Sequence, residues 1–449
     1  MTEPGLRVDA LVVGGGIAGM QASLDLADQG YRVALIERQP SIGGKMITLS
    51  KVFPTLDCCS CITTPKMSAV AHHANIELLT YTEVQSVERR GQGYAAQVVK
   101  KPRYVNAETC TGCRQCEYAC PIDIPDPFQM GMSAHRAIRV PYSTAVPQTA
   151  VLDIDHCLLC GKCEKACPVG AVDFTQLPEA LEIETDALIL ATGFETTPRD
   201  AKAEYGAGAF PNVIDGLMME RLLAPTGPYL HVLRPSDGKE PDSIAYVQCA
   251  GSRDETLGVP YCSRVCCMYA IKQAMLISGS LPMADITIYY MDIRTFGKGY
   301  EQFYQNAKAM GVEFVKGKVA RITEDEAHSP IVRVEVMDGA SRIVDRKHDL
   351  VVLSVGMLPE YDPGAVFGVP VAEDGFVEAA SPNLSPSLST RPGIFATGTA
   401  MGPMDIVDSI VMAGAAASEA AAYLEGLRAG VIQPVTSGTA ARERDLVHA

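Results

Sequence analysis

Fifteen cysteines fall into four groups along this chain, and two of the groups repeat one spacing. Cys110-x2-Cys113-x2-Cys116-x3-Cys120-Pro121 is followed by Cys157-x2-Cys160-x2-Cys163-x3-Cys167-Pro168. This is the run that holds a pair of [4Fe–4S] cubanes in two-cluster ferredoxins, where each tight C-x2-C-x2-C turn supplies three thiolates and the other run supplies the fourth. Cys110, Cys113, Cys116 and Cys167 are therefore expected to hold one cluster, and Cys157, Cys160, Cys163 and Cys120 the other. Zinc ribbons separate their C-x2-C pairs by longer gaps without the closing Cys-Pro, and disulfides are out of place in a chain with no export signal.

A second chemistry is written near the start. A β-rich run over 8–13 leads into Gly14-Gly15-Gly16-Ile17-Ala18-Gly19, a helical pattern to Gln29 closed by Gly30, and a second strand over 31–36 that ends at Glu37. Strand, G-x-G-x-x-G, helix, strand and acid in that order form a dinucleotide site. The glycines let the backbone approach a pyrophosphate at the helix amino terminus, and Glu37 can bond a ribose hydroxyl. An ordinary glycine-rich turn would lack that context. Three further segments, Ser41-Ile42-Gly43-Gly44-Lys45, the stretch 187–193 ending at Gly193, and 393–398 ending at Gly398, resemble FAD proteins of the thioredoxin reductase and glutamate synthase type. They favour FAD over NAD, with Gly14, Gly16, Gly19, Glu37, Gly44, Lys45, Gly193, Gly398 and Asp405 as its expected contacts. A helix starting near Asp405 would turn its positive end toward the flavin, whereas Lys45 reads equally well as a solvated loop charge.

Two cysteine groups remain. Cys249, Cys262, Cys266 and Cys267 give C-x12-C-x3-C-C. Adjacent cysteines are strained as a disulfide but can bind two irons of one compact cluster, so a third iron–sulfur cluster is expected, against the competing reading of a redox-active thiol pair. Cys58, Cys59 and Cys61 are too crowded to saturate a cubane alone. These candidate redox thiols leave three readings open: a cluster completed by a partner chain, a thiol/disulfide relay beside the flavin, or plain reduced cysteines.

These segments imply an α/β chain with a discontinuous, thioredoxin-reductase-like FAD-binding Rossmann fold over 1–104, 179–236 and 366–449. A ferredoxin domain with two [4Fe–4S] clusters is inserted at 105–178, and a degenerate, NAD-domain-like second α/β domain lies at 237–365. Runs 244–248 and 286–290 read as parallel strands of that domain and 300–310 as its helix. Where a second glycine fingerprint would stand, the chain has Cys249-Ala250-Gly251-Ser252-Arg253, so NAD(P)H binding is not expected there.

At 449 residues, with 47% hydrophobic and 20% charged residues, the chain has the composition of about three globular domains. No secretory signal and no uninterrupted apolar run of about 18 residues is present, and the Ala-rich stretch 406–424 reads as a packed helix, so a cytoplasmic protein without a membrane span is expected. A net charge of −15 argues against nucleic acid. No acid–base or nucleophilic triad is evident, and His72, His73 and His156 suit structural roles.

With these motifs in place, the chain resembles the A-type subunits of heterodisulfide reductase. The likeness rests on Phe53-Pro54-Thr55 with Asp57, Cys58 and Cys61, then Pro65-Lys66-Met67 and Lys101-Pro102-Arg103-Tyr104-Val105. It continues in Gln248-Cys249, Gly251-Ser252-Arg253-Asp254, Cys262-Ser263-Arg264-Val265-Cys266-Cys267-Met268-Tyr269-Ala270 and Gly402-Pro403-Met404-Asp405-Ile406. The resemblance implies FAD, several [4Fe–4S] clusters and electron transfer to B- and C-like partner subunits, with ferredoxin or another carrier and a homodimer within a larger complex. Three departures stand out: no extra cluster domain precedes the dinucleotide fold, no ferredoxin domain follows at the carboxyl end, and Cys59 replaces the family's usual Ser. They suit the shorter A-type subunits of sulfur-oxidising complexes and of the quinone-interacting complex of sulfate reducers, and hence sulfur metabolism. A self-contained NAD(P)H-dependent oxidoreductase like the small subunit of glutamate synthase, and a cluster-bearing scaffold or redox sensor, are the competing readings.

Overall fold

The computed structural model describes residues 5–431 apart from 338 and 361; positions 432–449, the tail of the expected third flavin segment, lie outside the described residues. The chain opens with β1 (Leu6–Val13), α1 (Ile17–Asp28) and β2 (Val33–Glu37). The second strand starts at Val33, two residues later than its sequence pattern, because Tyr31 is spent on the turn out of α1, where its N–H reaches Leu26 O. Next come α2 (Cys59–His72), β3 (Ile76–Thr80) and an antiparallel ribbon of β4 (Thr82–Arg90) and β5 (Gly93–Lys100).

The cysteine-rich insert follows. Its short helices α3 (Gln115–Ala119) and α4 (Lys162–Ala166) enclose two small ribbons, β6 (Asp123–Pro125) with β7 (Ala134–Arg136) and β8 (Ile138–Arg139) with β9 (Val151–Leu152). The chain then returns to the first sheet as β10 (Glu179–Leu190). The early half of β10 pairs antiparallel with β5, and its apolar later half lies parallel to β1, with Val13 opposite Leu190. Strands buried on both faces need continuous apolar runs, and Leu11, Val12, Leu188 and Ile189 are fully buried.

Short β11 (Phe194–Thr196) leads out of this unit into a second sheet. That sheet comprises β12 (Val213–Asp215), α5 (Gly216–Leu223), β13 (Ser243–Val247), α6 (Cys266–Ser280), β14 (Asp285–Tyr290), α7 (Tyr300–Ala309), β15 (Glu313–Glu324), β16 (Pro330–Val336), β17 (Arg342–Lys347) and β18 (Leu350–Leu353). Its order is β12-β18-β13-β14-β15-β16-β17, parallel as far as β15. β19 (Met357–Pro359) returns beside β11, and α8 (Pro363–Phe367), β20 (Ala379–Ser381), β21 (Ser385–Ser389) and β22 (Ile394–Ala396) rejoin the first unit, where β22 flanks β10. The second unit therefore begins ahead of residue 237: Val213 pairs with Val351 and Asp215 with Leu353. A three-residue strand carries too little alternation to be read locally, so the 179–236 segment divides between the two sheets.

The chain ends in α9 (Ile406–Arg428), capped by Asp405, whose Oδ1 accepts from Asp408 N at 2.8 Å. This helix is long and apolar enough to cross a membrane by length and composition alone. Its alanines at 413, 416, 417, 420 and 421, however, pack with Met20 and Leu26 of α1 in the first core, which ties it into the Rossmann layer.

Candidate cofactor sites

A cavity of about 870 Å³ opens at the carboxyl ends of β1, β2 and β10. Glu37 reaches it from the end of β2 and is almost fully buried. Burial pushes its carboxyl above the ordinary range, while backbone N–H groups of Gly15 and Gln39, each at 2.7 Å, hold the two oxygens in place. Gly14 (φ +109°) is obligatory, since an added Cβ would meet Ala191 O at 2.2 Å. Gly44 (φ +55°) brings the 41–44 loop against Gly16, 2.8 Å from where its own Cβ would stand. At Gly16 a Cβ would meet nothing within 4 Å, and this residue begins α1 without any side-chain cap. The free first-turn N–H groups and the open space beside them fit a pyrophosphate. Thr397 Oγ1, buried on the cavity wall, has no partner either.

Of the other expected contacts, Lys45, Gly193 and Asp405 line the cavity. Lys45 is not a free loop charge: its ammonium lies 3.6 Å from Glu195 and 5.2 Å over the Phe194 ring, and burial lowers its pKa. Gly19 and Gly398 do not line the cavity. They are packing residues, since a Cβ on Gly19 would strike Gly14 O at 1.9 Å and one on Gly398 would strike Ala18 Cβ at 2.7 Å. Both Asp405 oxygens are engaged, one by its own helix and one by Tyr300 Oη at 2.8 Å.

The second unit closes the cavity with residues that sequence reasoning missed. Lys272 of α6 and Glu220 of α5 form an ion pair at 2.5 Å with side chains 2% and 3% exposed. Glu220 also accepts from Ser50 N, Ser50 Oγ and Gln273 Nε2, and Lys272 donates to Lys51 O. Burial alone would raise the Glu220 carboxyl, but the Lys272 charge and these bonds leave it below the ordinary range. A lone Lys in the apolar stretch of α6 was the available signal. Beside it, the fully buried Arg221 clamps three segments: it donates to Thr48 O, Gln129 Oε1 and Thr226 O, and stacks 4.4 Å over Phe128 of the insert.

The helix that supplies Val265, Tyr269 and Lys272 to the wall begins with Cys266 and Cys267. Cys249 follows β13 directly, and Cys262 precedes the helix. All four thiols therefore gather at the carboxyl edge of the second sheet, where an open α/β sheet ordinarily takes its ligand. Each of Cys266 and Cys267 lies within electrostatic range of Cys249 and Cys262. Cys249 (φ +59°), Arg253 (φ +58°) and Arg264 (φ +60°) are non-glycine residues in the left-handed region, and such strain collects at functional sites. Gln248, next to Cys249, is buried with both amide atoms unpartnered. The neighbouring Arg264 ties the loop to α9 through Asp408 at 2.9 Å and Pro403 O at 3.2 Å.

In the insert, the two cysteine runs adopt one conformation twice. Gly112 and Leu159 (φ +67° and +51°), and Arg114 and Gly161 (+62° and +69°), occupy equivalent left-handed positions, and Cys116 and Cys163 point into a shared core. Cys120 from the first run joins Cys157, Cys160 and Cys163 in lining one small cavity, which is the crossed set expected for the second cubane. Among the described residues no group of three or more Cys, His, Asp or Glu is placed to hold a single metal ion. A cubane offers a separate iron to each thiolate, so its ligands stand apart.

Cys58 caps α2, and its sulfur accepts from Cys61 N at 3.4 Å. The two thiols also bond each other, which lowers Cys58 and raises Cys61. Cys59 does not belong with them: it is fully buried toward Lys272 and Glu220, and burial pushes its thiol up to about 12. The three-thiol group thus reduces to an accessible C-x2-C pair at a helix amino terminus.

Comparison with known proteins matches residues 12–60 to the NAD(P)-binding Rossmann-like domain and 109–172 to the 4Fe-4S dicluster domain. The A-type subunit of the H(2)/formate:CoB-CoM heterodisulfide,ferredoxin reductase of Methanococcus maripaludis is 45% identical over 442 residues, covering 95% of this chain and 67% of that one. The chain belongs to the family of heterodisulfide reductase A-type subunits. The A-type iron-sulfur subunit of Methanocaldococcus jannaschii CoB–CoM heterodisulfide reductase is 45% identical over 91% of the chain, which spans 63% of that relative's length. Thioredoxin reductases of T. acidophilum and Lactococcus lactis share the fold at 14% identity, with TM-scores of 0.53 and 0.54 over 94% and 93% of this chain and 99% of each of theirs. The discontinuous Rossmann architecture of this member of the heterodisulfide reductase family is thus that of thioredoxin reductase, with a dicluster domain inserted.

Proposed function

We propose that this chain is the FAD- and [4Fe–4S]-bearing electron-transfer subunit of a heterodisulfide-reductase-like oxidoreductase acting on disulfides or related sulfur compounds. The observation that carries the reading is the shared wall: α6 lends Val265, Tyr269 and Lys272 to the dinucleotide cavity and Cys266 and Cys267 to the four-thiol site. FAD, when bound, converts two-electron exchange with an organic couple into single-electron transfer with iron. Gly14, Gly16 and Gly44 make room for its pyrophosphate, Glu37 presents a fixed carboxylate, and the amino end of α9 gives the cavity a positive pole. Lys272 keeps its proton on Nζ between Glu220 and Lys51 O, so the wall carries a buried, oriented dipole shielded from water.

Cys110, Cys113, Cys116 and Cys167 would hold one cubane, Cys157, Cys160, Cys163 and Cys120 the second, and Cys249, Cys262, Cys266 and Cys267 a third. The names of the relatives support B- and C-like partner subunits and a ferredoxin-type carrier, and the chain is expected to work as a homodimer within such a complex. A self-contained NAD(P)H enzyme is disfavoured because cysteines occupy the sheet edge where the nicotinamide nucleotide would lie. Anaerobic preparation should give one FAD and about twelve irons per chain, with a flavin spectrum unchanged by NADH. About eight irons would remove the third cluster, and rapid bleaching by NADH would overturn the loss of the second nucleotide site.

A further inference from the structure

We propose that Arg253 sets the reduction potential of the cluster on Cys249, Cys262, Cys266 and Cys267, an inference that rests on the third-cluster reading above. The backbone of Arg253 is held in the left-handed region (φ +58°), and its N–H donates to Tyr261 O at 2.9 Å. From there Nη1 reaches 3.9 Å from Cys249 Sγ and donates to Asp292 Oδ1 at 2.5 Å. Asp292 follows β14, and its own carbonyl oxygen stands 3.9 Å from Cys267 Sγ. The guanidinium is thus braced between the flanks of two of the four thiols.

Reduction of a cluster adds one negative charge and no proton need accompany it. A cation fixed against a ligand sulfur stabilises the reduced state more than the oxidised one, and the effect is strongest where solvent is excluded. The Arg253 side chain is 23% exposed. The Asp292 carboxylate faces the other way: it is 48% exposed and shared with Arg294 at 3.6 Å. The other arginine of the loop cannot substitute, because the Arg264 guanidinium is drawn to Asp408 and Pro403 on the α9 side. Its backbone N–H, 3.4 Å from Cys262 Sγ, is a fixed dipole. The remaining nearby ion pair, Lys202 with Asp254, is self-compensating. Among the described residues Arg253 therefore brings the positive charge to bear on a ligand sulfur, and the orphaned Gln248 amide is the neutral donor beside it.

The test is an EPR-monitored redox titration of the full chain, prepared anaerobically, with iron and sulfide counted. Arg253→Met should retain the irons yet lower the equilibrium constant for reduction of the third cluster at least tenfold, which is 59 mV for a one-electron couple. Arg253→Lys should recover most of that shift, and Asp292→Asn should move the potential the opposite way. Should Arg253→Met lose the cluster, the opposite-signed Asp292→Asn shift decides the matter. An unchanged potential in a loaded Arg253→Met, or no upward shift in Asp292→Asn, overturns the proposal. If the wild-type chain itself shows only two cluster signals, the third-cluster reading has failed and this inference falls with it.

Discussion

Replacing Lys272 by methionine tests whether the wall of the cavity depends on a paired charge. The side chain fits the same volume, but Glu220 is left in a site where it is 3% exposed. Breaking a buried pair from one side costs about 3–5 kcal/mol. Glu220 retains Ser50 N, Ser50 Oγ and Gln273 Nε2 as donors, at 2.9, 2.7 and 2.5 Å, which places the expected loss near the lower figure, about 3 kcal/mol. Removing both charges in Lys272→Met/Glu220→Gln should return stability to within about 1 kcal/mol of wild type, because the carboxamide still accepts from Ser50 and no ion is stranded. The chain has no Trp, so urea unfolding is best followed by far-UV circular dichroism. The pH dependence gives a second signature. In the wild type the Glu220 carboxyl sits below its ordinary value of 4.5, so its contribution is present above that pH and is lost as pH falls. In Lys272→Met burial acts alone and raises the carboxyl, so the deficit at pH 7 should shrink on acidification. A double variant as unstable as the single one, or a deficit that is the same at pH 7 and pH 5, would refute the reasoning.

Other consequences can be read from single side chains. His348, buried between Ser243 Oγ and Tyr289 Oη at 2.8 Å each, is held down to about 4 from 6.5 by burial. Its contribution is complete above pH 6.5 and should be lost as pH falls to about 4, a change of about 3 kcal/mol that His348→Gln flattens in pH-dependent unfolding. Gly16→Ala should fold but fail to retain FAD, since its methyl enters open cavity; Gly19→Ala, with backbone 1.9 Å away, should lose soluble protein before any binding can be assayed. Cys59→Ser should leave iron content and thiol labelling unchanged, whereas Cys61→Ser should remove one rapidly alkylated thiol; rapid labelling of Cys59 in the native chain would contradict its burial.

The cysteine runs and the glycine fingerprint were legible from residue order because their chemistry is local. A C-x2-C-x2-C turn needs only adjacent residues, and Gly14, Gly16 and Glu37 belong to one βαβ unit whose turns and periodicity are set within the segment. The resemblance to FAD proteins extended that reading to Gly44 and Gly193, both on the cavity wall, but overreached at Gly398, which packs on Ala18. Asp405 was marked correctly as the start of a helix, yet its carboxylate is spent on that helix and on Tyr300.

Pairings between distant segments were decided only in three dimensions. Nothing near Glu220 announces Lys272, 52 positions away, or the Ser50 hydroxyl that completes their network. Nothing within Cys58-Cys59-Ser60-Cys61 separates the buried thiol from its two accessible neighbours, because that depends on which face of α2 meets α5 and α6. The brief strand β12 likewise owes its place to Val351 and its neighbours rather than to its own three residues. Local sequence determines turns, helix starts and ligand spacing, since these depend on steric and hydrogen-bonding rules among near neighbours. Burial, and with it the state of every charge and thiol on the cavity wall, depends on surfaces contributed from far along the chain, and only their packing sets it.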